Sequence, residues 1–263
     1  MSDAALEISE LSVTLGDHRV LRDVSLSVPR GARVSVVGPN GAGKTTLLKS
    51  VMRIVEAQAT SVHVCGRRLG HYTQRELAKV ISYVPQSDGR LLPFTAGEFV
   101  RMGRYPHLSP FSALTAEDED VVRRAMEQTG TTRYAMRSLA TLSGGERQSV
   151  FIAAALAQGA RLLLLDEPAT FLDPRHQDEI YHLLARVNVE SSVTILSVTH
   201  DVNAAALHSD RVVALKDGTV VFAGKPRELM TAETLSQIYD TRFTFVDHPD
   251  ADLPMVVPSR GAS

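Results

Sequence analysis

RVSVVGPNGAGKTT, the stretch from Arg33 to Thr46, decides the fold. Its opening run, Arg33–Val37, is rich in β-branched residues and predicts a short buried strand that ends at Gly38. The glycines that follow predict a loop, and a helix-like pattern continues from Thr45 to Val55. In a strand, glycine loop and helix arranged in this order, backbone N–H groups and a helix N-terminus converge on an anion.

Strand-like and helix-like patterns alternate on both sides of this stretch. Leu6–Leu15 and Val20–Val28 alternate apolar and polar residues like half-exposed strands, which indicates an antiparallel edge. Farther along, Leu162–Leu165 predicts a buried strand, Asp173 precedes a helix with proline at its first position, and Ser192–Val198 predicts another strand. The alternation predicts an α/β fold.

The segment between these strand-rich regions has a helical pattern. Period-two alternation stops after Gln86 and resumes at Leu162, and Ser/Thr-x-x-Glu capping boxes begin at Thr95 and Ser143. We therefore predict an α-helical subdomain inserted into a sheet-containing core. The predicted boundaries are 1–86 and 159–263 for the catalytic α/β core and 87–158 for the helical subdomain, within a single domain, 1–263.

The C-terminal part contains a predicted hairpin and a predicted tail. Arg211–Leu215 and Thr219–Phe222 flank Asp217-Gly218, a dipeptide that suits a type I′ turn. Phe243–Ser263 is expected to lie along the surface.

Composition excludes several classes of protein. The chain has 263 residues, 44% of them apolar, which is enough to bury a substantial core. Its formal net charge of -2 lacks the basic excess of a dedicated nucleic-acid binder, so no nucleic-acid partner is expected. Cys65 is the only cysteine, which excludes an internal disulfide and favours a reducing compartment. We expect no secretory signal in residues 1–7 and no membrane helix.

The glycine-rich loop carries the first chemical prediction. Its missing side chains let backbone N–H groups approach a β-phosphate, and the helix N-terminus adds favourable dipole charge. Lys44 is placed to neutralise the β- and γ-phosphate oxygens, and the Thr45 hydroxyl is placed to bind Mg2+. The residues predicted to hold the nucleotide here are Gly38, Pro39, Asn40, Gly41, Ala42, Gly43, Lys44, Thr45 and Thr46.

Two acidic residues close the run of leucines. Asp166 and Glu167 follow Leu162–Leu165 at the C-terminal end of a predicted buried parallel strand, where ligands bind in open α/β sheets. Asp166 suits a second anchor for Mg2+, mainly through water. Glu167 is predicted to polarise the attacking water. The alternative interpretation is an acidic helix cap after a strand.

A second glycine-rich signal follows at Leu142–Glu146. Ser143-x-x-Glu146 taken alone is a capping box, a structural feature that needs no ligand. Gly144 and Gly145 at the first two helical positions nevertheless cost helix propensity, roughly 1 kcal/mol each relative to alanine. That cost makes sense if a γ-phosphate approaches this helix N-terminus closely. Because one nucleotide needs only one such loop, we predict that ATP is held between two copies of the chain.

Two single residues complete the candidate set, and each has two interpretations. Gln86 follows the Val80–Val84 strand and either contacts Mg2+ or the lytic water or is simply solvated. His200 follows Ser192–Val198 and either directs a neutral imidazole at the γ-phosphate or serves as a capping or core histidine.

Over nearly its whole length the chain resembles the nucleotide-binding subunit of ATP-binding cassette (ABC) transporters. The resemblance rests on a Walker A loop at Gly38–Thr46, a Q-loop glutamine Gln86, a signature Leu142–Glu146, a Walker B strand Leu162–Asp166 followed by Glu167, a D-loop that includes Asp173, and a switch histidine His200. It implies an ATPase with a P-loop NTPase (RecA-like) core that uses ATP and Mg2+. It also implies that two cassettes face head to tail, so that Walker A of one chain and the signature of the other enclose each ATP.

The resemblance also assigns expected roles to individual residues. The catalytic set is Glu167, His200, Gln86 and Lys44. The expected metal ligands are Thr45, Gln86 and Asp166. Nucleotide contacts beyond the first loop are expected from Ser143, Gly144, Gly145, Glu146 and Asp173.

A narrower resemblance concerns importers of iron-siderophore complexes, haem and cobalamin. It rests on Val100–His107, on Tyr134–Arg137 before the signature, and on His248-Pro249 and Pro254–Pro258. It implies a homodimer bound to an integral membrane permease dimer at the cytoplasmic face of the cell membrane, with a substrate-binding protein as an indirect partner. Ferric siderophore is favoured as the cargo, ahead of haem and cobalamin, and the cassette is not expected to touch it.

The chain departs from the family pattern at several positions. Leu15 stands where many cassettes place an aromatic residue that stacks on adenine, and Ser149 stands where an arginine commonly follows the signature. Ala169-Thr170-Phe171 replaces the usual small and polar residues before the D-loop. We still expect an active ATPase, because the departures do not touch Lys44, the two acids or the switch histidine.

Two rival functions stay open at this point. A soluble ABC ATPase that serves iron-sulfur cluster assembly or DNA repair shares the same motifs. A P-loop kinase or GTPase switch shares the first loop but has no use for Ser143–Glu146.

Overall fold

The computed structural model describes residues 3–86, 92–109, 112–249 and 251–257. Its strands and helices, in chain order, are β1 (Ala4–Leu15), β2 (His18–Pro29), β3 (Arg33–Val37), α1 (Lys44–Val51), β4 (Ser61–Val64), β5 (Arg67–Arg68), α2 (Gln74–Leu77), β6 (Ile81–Val84), α3 (Ala96–Met102), α4 (Ala116–Gln128), α5 (Gly144–Ala157), β7 (Leu162–Asp166), α6 (Pro174–Ser191), β8 (Thr194–Val198), α7 (Val202–His208), β9 (Arg211–Lys216), β10 (Thr219–Gly224), α8 (Pro226–Leu229), α9 (Ala232–Tyr239), β11 (Thr244–Asp247) and β12 (Pro254–Val257). Short 3-10 turns lie at Leu69–His71, Tyr105–His107, Thr132–Tyr134 and Leu139–Thr141. Within the described ranges no helix has the length and apolar character needed to cross a membrane.

The first of two compact units comprises residues 1–69 and 196–263. Four strands form an antiparallel sheet in the order β2-β1-β4-β5, in which Leu6 lies opposite Val28 on one side and Val64 on the other. β3 pairs in parallel with β9, which pairs antiparallel with β10. Asp217 and Gly218 in the β9–β10 turn have φ of 48° and 78°, as a type I′ turn requires. The predicted antiparallel edge and hairpin are confirmed.

The C-terminal end of this unit contains a hairpin that the sequence pattern did not predict. Phe243–Ser263 is expected to lie along the surface, and its described strands, β11 and β12, are exposed or half-buried and pair antiparallel. Phe243, Phe245 and Val256 pack against a buried cluster that includes Leu235 of α9. Strands of four residues give too short an alternation to distinguish from loop in the sequence.

The second compact unit comprises residues 70–195. β6 and β7 pair in parallel, with Ile81 opposite Leu162. All four leucines of Leu162–Leu165 are at most 1% exposed, and burying each side chain contributes about 1.5–3 kcal/mol. Ile180 and Leu183 of α6 belong to the same buried cluster as Leu163 and Leu165. The predicted buried strand is confirmed, and the chain is α/β as expected.

The described residues between β6 and β7 form helices joined by turns and loops. Within residues 92–109 and 112–161, the structure has α3, α4, α5 and no strand. These helices begin at capping boxes whose first residues are Thr95, Thr115 and Ser143. The boundaries expected for the inserted subdomain, 87–158, stay a prediction.

The boundary between α6 and β8 lies farther along the chain than the sequence pattern predicts. Asp173 caps α6 as predicted, since its side chain accepts the N–H of His176 at 3.0 Å. The expected strand start at Ser192 is wrong, because α6 continues to Ser191 and Ser192 is its left-handed C-cap, with φ of 50°. β8 begins only at Thr194, since the C-cap must reverse the chain first.

Candidate functional site

The loop between β3 and α1 has a shape fixed by its neighbours. Gly38 has φ of 139°, and a Cβ there would lie 1.9 Å from the carbonyl oxygen of Leu215. Gly43 has φ of 95°, and a Cβ there would lie 2.5 Å from Cδ2 of Leu21. A side chain at either position would push the loop away from β9 or β2. The tertiary structure therefore requires both glycines.

Lys44 is buried in this loop, with 6% of its surface exposed. Its Nζ donates hydrogen bonds to the carbonyl oxygens of Gly38, at 2.7 Å, and Pro39, at 3.0 Å. A buried ammonium group is stable only where its hydrogen bonds are satisfied, and here the carbonyl groups of the loop satisfy them. Together with the N-terminus of α1, this ammonium makes the loop a cradle for an oxyanion.

His200 lies just beyond β8 in the first unit. The side chain is exposed, which excludes the interpretation as a core histidine. The cap of α7 is Asp201, whose Oδ1 accepts the N–H of Ala204 at 3.0 Å, so the capping interpretation is excluded too. The role toward a γ-phosphate stays a prediction.

In the second unit, Asp166 ends β7 and is 2% exposed. The hydroxyl of Tyr83 on β6 donates to its Oδ2 at 3.1 Å. Burial, and then the charge and hydrogen bond of Asp166, raise the pKa of Tyr83 far above its usual range. The phenol therefore remains a proton donor to this carboxylate. Sequence reasoning missed Tyr83, although its place on the strand beside the acidic one was a usable signal.

Glu167 has a left-handed backbone, with φ of 49°. One carboxylate oxygen, Oε2, accepts hydrogen bonds from Nε2 of Gln86 and from Oγ1 of Thr170, both at 2.9 Å. The structure thus brings Gln86 and Glu167 together across 81 positions of sequence, and the interpretation of Gln86 as merely solvated is wrong. Thr170 was noticed only as a departure from the family pattern, and its contact with the carboxylate was missed.

Ser143 is the exposed N-cap of α5, and its capping box is confirmed. Its Oγ accepts the N–H of Glu146 at 3.2 Å, and Oε2 of Glu146 accepts the N–H of Ser143 at 2.8 Å. This backbone N–H is the main reason why the pKa of Glu146 is lowered. A hydrogen bond from the Ser143 hydroxyl also lowers that pKa, so the hydroxyl is itself part of the capping box.

The two glycines after Ser143 have a packing reason that the sequence did not reveal. A Cβ on Gly144 would lie 3.0 Å from Cδ2 of Leu172. A Cβ on Gly145 would lie 2.5 Å from Cδ2 and 2.8 Å from Cγ of His176. These short distances place the start of α5 directly against the segment around Asp173. A ligand is therefore not the only reason for glycine here.

Asp173 holds both the backbone and the ring of His176. Its Oδ2 lies 2.6 Å from Nδ1 of that ring, and its Oδ1 accepts the backbone N–H. The backbone hydrogen bond, followed by the ring, lowers the pKa of Asp173. The carboxylate is thus fixed at the start of α6.

An apolar groove lies beside Gln86 in the same unit. It has a volume of about 430 Å³, and its lining includes Phe99, Met102 and Phe151. The rings of Phe99 and Phe151 pack with centroids 4.9 Å apart. The groove therefore combines a large apolar wall with the amide that contacts Glu167.

The expected metal ligands suit a hard cation. Thr45, Gln86 and Asp166 offer hydroxyl, amide and carboxylate oxygens, the donors that Mg2+ prefers when phosphates and waters complete its shell. In the part of the chain that the structure describes, no three histidine, cysteine or acidic side chains gather into a metal site of their own.

Sequence comparison relates the chain to transport ATPases. A family model described as ABC transporter matches residues 21–170. The iron(3+)-hydroxamate import ATP-binding protein FhuC of Bacillus subtilis (strain 168) is 41% identical over 95% of this chain and 93% of its own length. The ferric enterobactin transport ATP-binding protein FepC of Escherichia coli (strain K12) is 38% identical over 98% of this chain and 95% of its own length.

Structure comparison agrees with these matches. A putative metal-chelate type ABC transporter in an inward-facing conformation contains a chain that superposes with a TM-score of 0.84 at 25% identity. The superposition covers 97% of this chain and 98% of that one.

Proposed function

Because the chain belongs to the ABC transporter family, we propose that it is the ATP-hydrolysing subunit of an importer that takes up an iron-siderophore complex. Two relatives that match along nearly the whole chain are named for the transport of ferric hydroxamates and ferric enterobactin. Haem and cobalamin remain the other cargoes that the sequence pattern suggests. The cassette itself carries no cargo site in this proposal.

The loop of the first unit is proposed to bind the phosphates of ATP. The ammonium of the buried Lys44 lies within this loop, and it is proposed to exchange its hydrogen bonds with the loop carbonyls for contacts with the β- and γ-phosphate oxygens. Asn40–Thr46 supplies backbone N–H groups, and Gly38 and Gly43 keep side chains out of the loop. His200, exposed beyond β8, is proposed to contact the γ-phosphate.

The acidic pair of the second unit is proposed to serve hydrolysis. Glu167 is the general base, and its contact with Gln86 holds the carboxylate where a water can be polarised. Asp166 is proposed as a metal ligand, kept in orientation by Tyr83. Mg2+, when bound with ATP, would neutralise charge on the transferred phosphoryl group. Thr45 and Gln86 are the other proposed ligands.

The signature segment is proposed to act on the ATP of a second copy. Ser143 is exposed at the N-terminus of α5, and the helix dipole favours an anion there. Asp173 lies at the neighbouring loop and is proposed to face the same nucleotide. In a homodimer arranged head to tail, each ATP contacts the Gly38–Thr46 loop of one chain and the Leu142–Glu146 signature of the other.

A membrane permease dimer is the proposed partner of this homodimer. The groove of about 430 Å³ beside Gln86 offers apolar wall to a segment of the permease, and Gln86 links that wall to Glu167. The chain would then act at the cytoplasmic face of the membrane, with a substrate-binding protein on the opposite side.

The rival functions are less well supported. The relatives named above are import and transport proteins, which does not favour iron-sulfur cluster assembly or DNA repair. A kinase or GTPase switch is not favoured either, because the family model that matches residues 21–170 is that of ABC transporters.

The observation that carries the proposal is the exposed Ser143 at the N-terminus of α5, in a chain that also has a glycine-rich loop around a buried lysine. Co-expression with an iron-siderophore permease encoded in the same genome tests it. We expect ATPase activity of the purified complex to fall at least tenfold for Ser143→Arg, since the bulky cation blocks the signature. Ser112→Arg, on an exposed serine, is the charge-matched control. Unchanged hydrolysis in Ser143→Arg, or co-purification with an assembly factor and no permease, would overturn the proposal.

A further inference from the structure

The backbone of Gly145 does not itself require glycine. Its φ is not left-handed, and the residue occupies the first turn of α5. Alanine is a much better helix former than glycine at such a position. Something outside the helix must therefore exclude a side chain at Gly145.

The excluding group is His176. Three of its atoms, Cδ2, Cγ and Cβ, lie 2.5, 2.8 and 2.9 Å from the place where a Cβ of Gly145 would be. The ring can rotate away, but the Cβ of His176 moves only if the backbone of α6 moves. A methyl group at Gly145 would therefore separate the start of α5 from the start of α6.

His176 is itself held in place. Asp173 lies 2.6 Å from its Nδ1 and accepts its backbone N–H, and the side chain is 32% exposed. Rotation of the ring away from Gly145 would thus break the contact with Asp173. The imidazole of His176 is therefore held between the carboxylate of Asp173 and the backbone of Gly145.

Gly144 provides an internal contrast. A Cβ there would meet a single atom, Cδ2 of Leu172, at 3.0 Å. That atom is the far end of a flexible side chain, so it can give way at small cost. The two adjacent glycines therefore differ: Gly145 is restricted by a fixed group and Gly144 by a movable one.

We infer that His176 is a positioning residue that seats the N-terminal turn of α5, with Ser143, against the loop that carries Asp173. Ser143 and Asp173 then keep a fixed relation within one chain, and a displacement of the Asp173 loop is transmitted to Ser143 through the imidazole. This inference rests on the proposed function only for its effect on ATP hydrolysis; the seating itself is a property of the folded chain.

The inference is tested by adding a methyl group at Gly145 and removing side-chain atoms at His176. We expect Gly145→Ala to lower the melting temperature of the nucleotide-free chain by roughly 4 °C or more, since it overpacks this contact. Gly144→Ala, the matched control, should lower it much less. Combining Gly145→Ala with His176→Gly removes all three close atoms, and with His176→Ala only the ring atoms. The double variant with His176→Gly should melt at nearly the same temperature as His176→Gly alone. The double variant with His176→Ala should stay below His176→Ala alone, because the Cβ of residue 176 remains in the way.

Hydrolysis by the permease complex gives a second readout. Gly145→Ala should lower kcat about tenfold with little change in KM, because a displaced Ser143 fails only when the two chains close on ATP. The double variant with His176→Gly should regain most of the kcat of His176→Gly alone. If Gly145→Ala proves too unstable to purify, recovery of the double variant as folded protein is itself the rescue.

The outcomes separate the two ideas. If the double variants melt as low as Gly145→Ala, the positioning role of His176 is wrong. It is also wrong if Gly144→Ala lowers the melting temperature as much as Gly145→Ala does. Restored melting temperature without restored kcat would also overturn the transmitted effect on hydrolysis, since glycine would then be needed for the nucleotide. If the wild-type complex hydrolyses no ATP, the proposed function fails, while the melting series still decides the seating.

Discussion

The side-chain amide of Gln86 donates a hydrogen bond to the carboxylate of Glu167, with 2.9 Å between Nε2 and Oε2. The same oxygen accepts the hydroxyl of Thr170. One carboxylate oxygen therefore has two donors, one from the end of β6 and one from the turn after β7. The orientation of the proposed base depends on both.

Glu167→Gln should bind ATP and nearly stop turnover. The amide keeps the size of the side chain but cannot accept a proton, so we expect kcat to fall by about 10²- to 10⁴-fold. Phosphate release by the permease complex measures the loss. Light scattering should detect ATP-dependent dimerisation of the variant, whereas Glu190→Gln, on an exposed glutamate of α6, should behave as wild type. A persistent monomer at saturating ATP would contradict the two-chain site.

Thr170→Val tests the second donor to Glu167. Valine keeps the shape and removes the hydroxyl, whose hydrogen bond is worth about 0.5–1.5 kcal/mol, so we expect kcat to fall roughly 2- to 10-fold with KM unchanged. Thr170→Ser retains the hydroxyl and is the matched control. Equal activity of the valine and serine variants would show that this hydrogen bond does not orient the base.

Phe171→Asn should stabilise the isolated chain. Phe171 is 84% exposed and has φ of 64°, a conformation that costs a bulky residue about 1–3 kcal/mol and that asparagine tolerates. We expect calorimetry to give a melting temperature higher by roughly 2 °C or more. Phe171→Leu removes the ring but keeps the strain and should gain nothing. A lower melting temperature for the asparagine variant would mean that the aromatic ring contributes more than the backbone strain costs.

Leu15→Tyr should tighten ATP binding. Leu15 is 45% exposed opposite His18 at the end of β1, the position where the family pattern expects an aromatic ring that stacks on adenine. Stacking contributes about 0.5–1.5 kcal/mol, so the Kd for a fluorescent ATP analogue should fall roughly 2- to 10-fold. Ile54→Tyr, which adds a ring at another exposed position, should leave the Kd unchanged. If both variants bind alike, the base does not lie over Leu15.

Asp118 should make part of the stability sensitive to acid. The backbone N–H of Thr115, then its hydroxyl, and after them Arg104 at 2.9 Å, lower the pKa of Asp118 to about 2 from 3.8. A lowered folded-state pKa gives stability that is present above pH 3.8 and is lost as the pH falls toward 2. Melting curves should show that Asp118→Asn is destabilised at pH 7 and that its deficit shrinks below pH 3.8. A deficit that is constant over this interval would exclude the carboxylate as its source.

Much of the fold could be predicted because it depends on local patterns. The four-leucine strand, the capping boxes at Thr95 and Ser143 and the turn at Asp217-Gly218 each involve residues within a few positions of one another. The glycines of the first loop were recognised for the same reason. The hairpin of β11 and β12 was missed, since its short strands gain stability mainly from packing that the sequence does not display.

The sequence by itself determined the α/β class, the helix caps and the types of residue available for phosphate chemistry, because periodicity and capping are set by neighbours along the chain. Only the tertiary structure decided which of those residues meet. Tyr83 reaches Asp166 and Gln86 reaches Glu167 because β6 and β7 pair in parallel, and that pairing is a property of the folded sheet. Gly145 lies against His176 for a similar reason: the packing of α5 on α6 leaves no space for a methyl group, and a sequence shows only that the glycine is there.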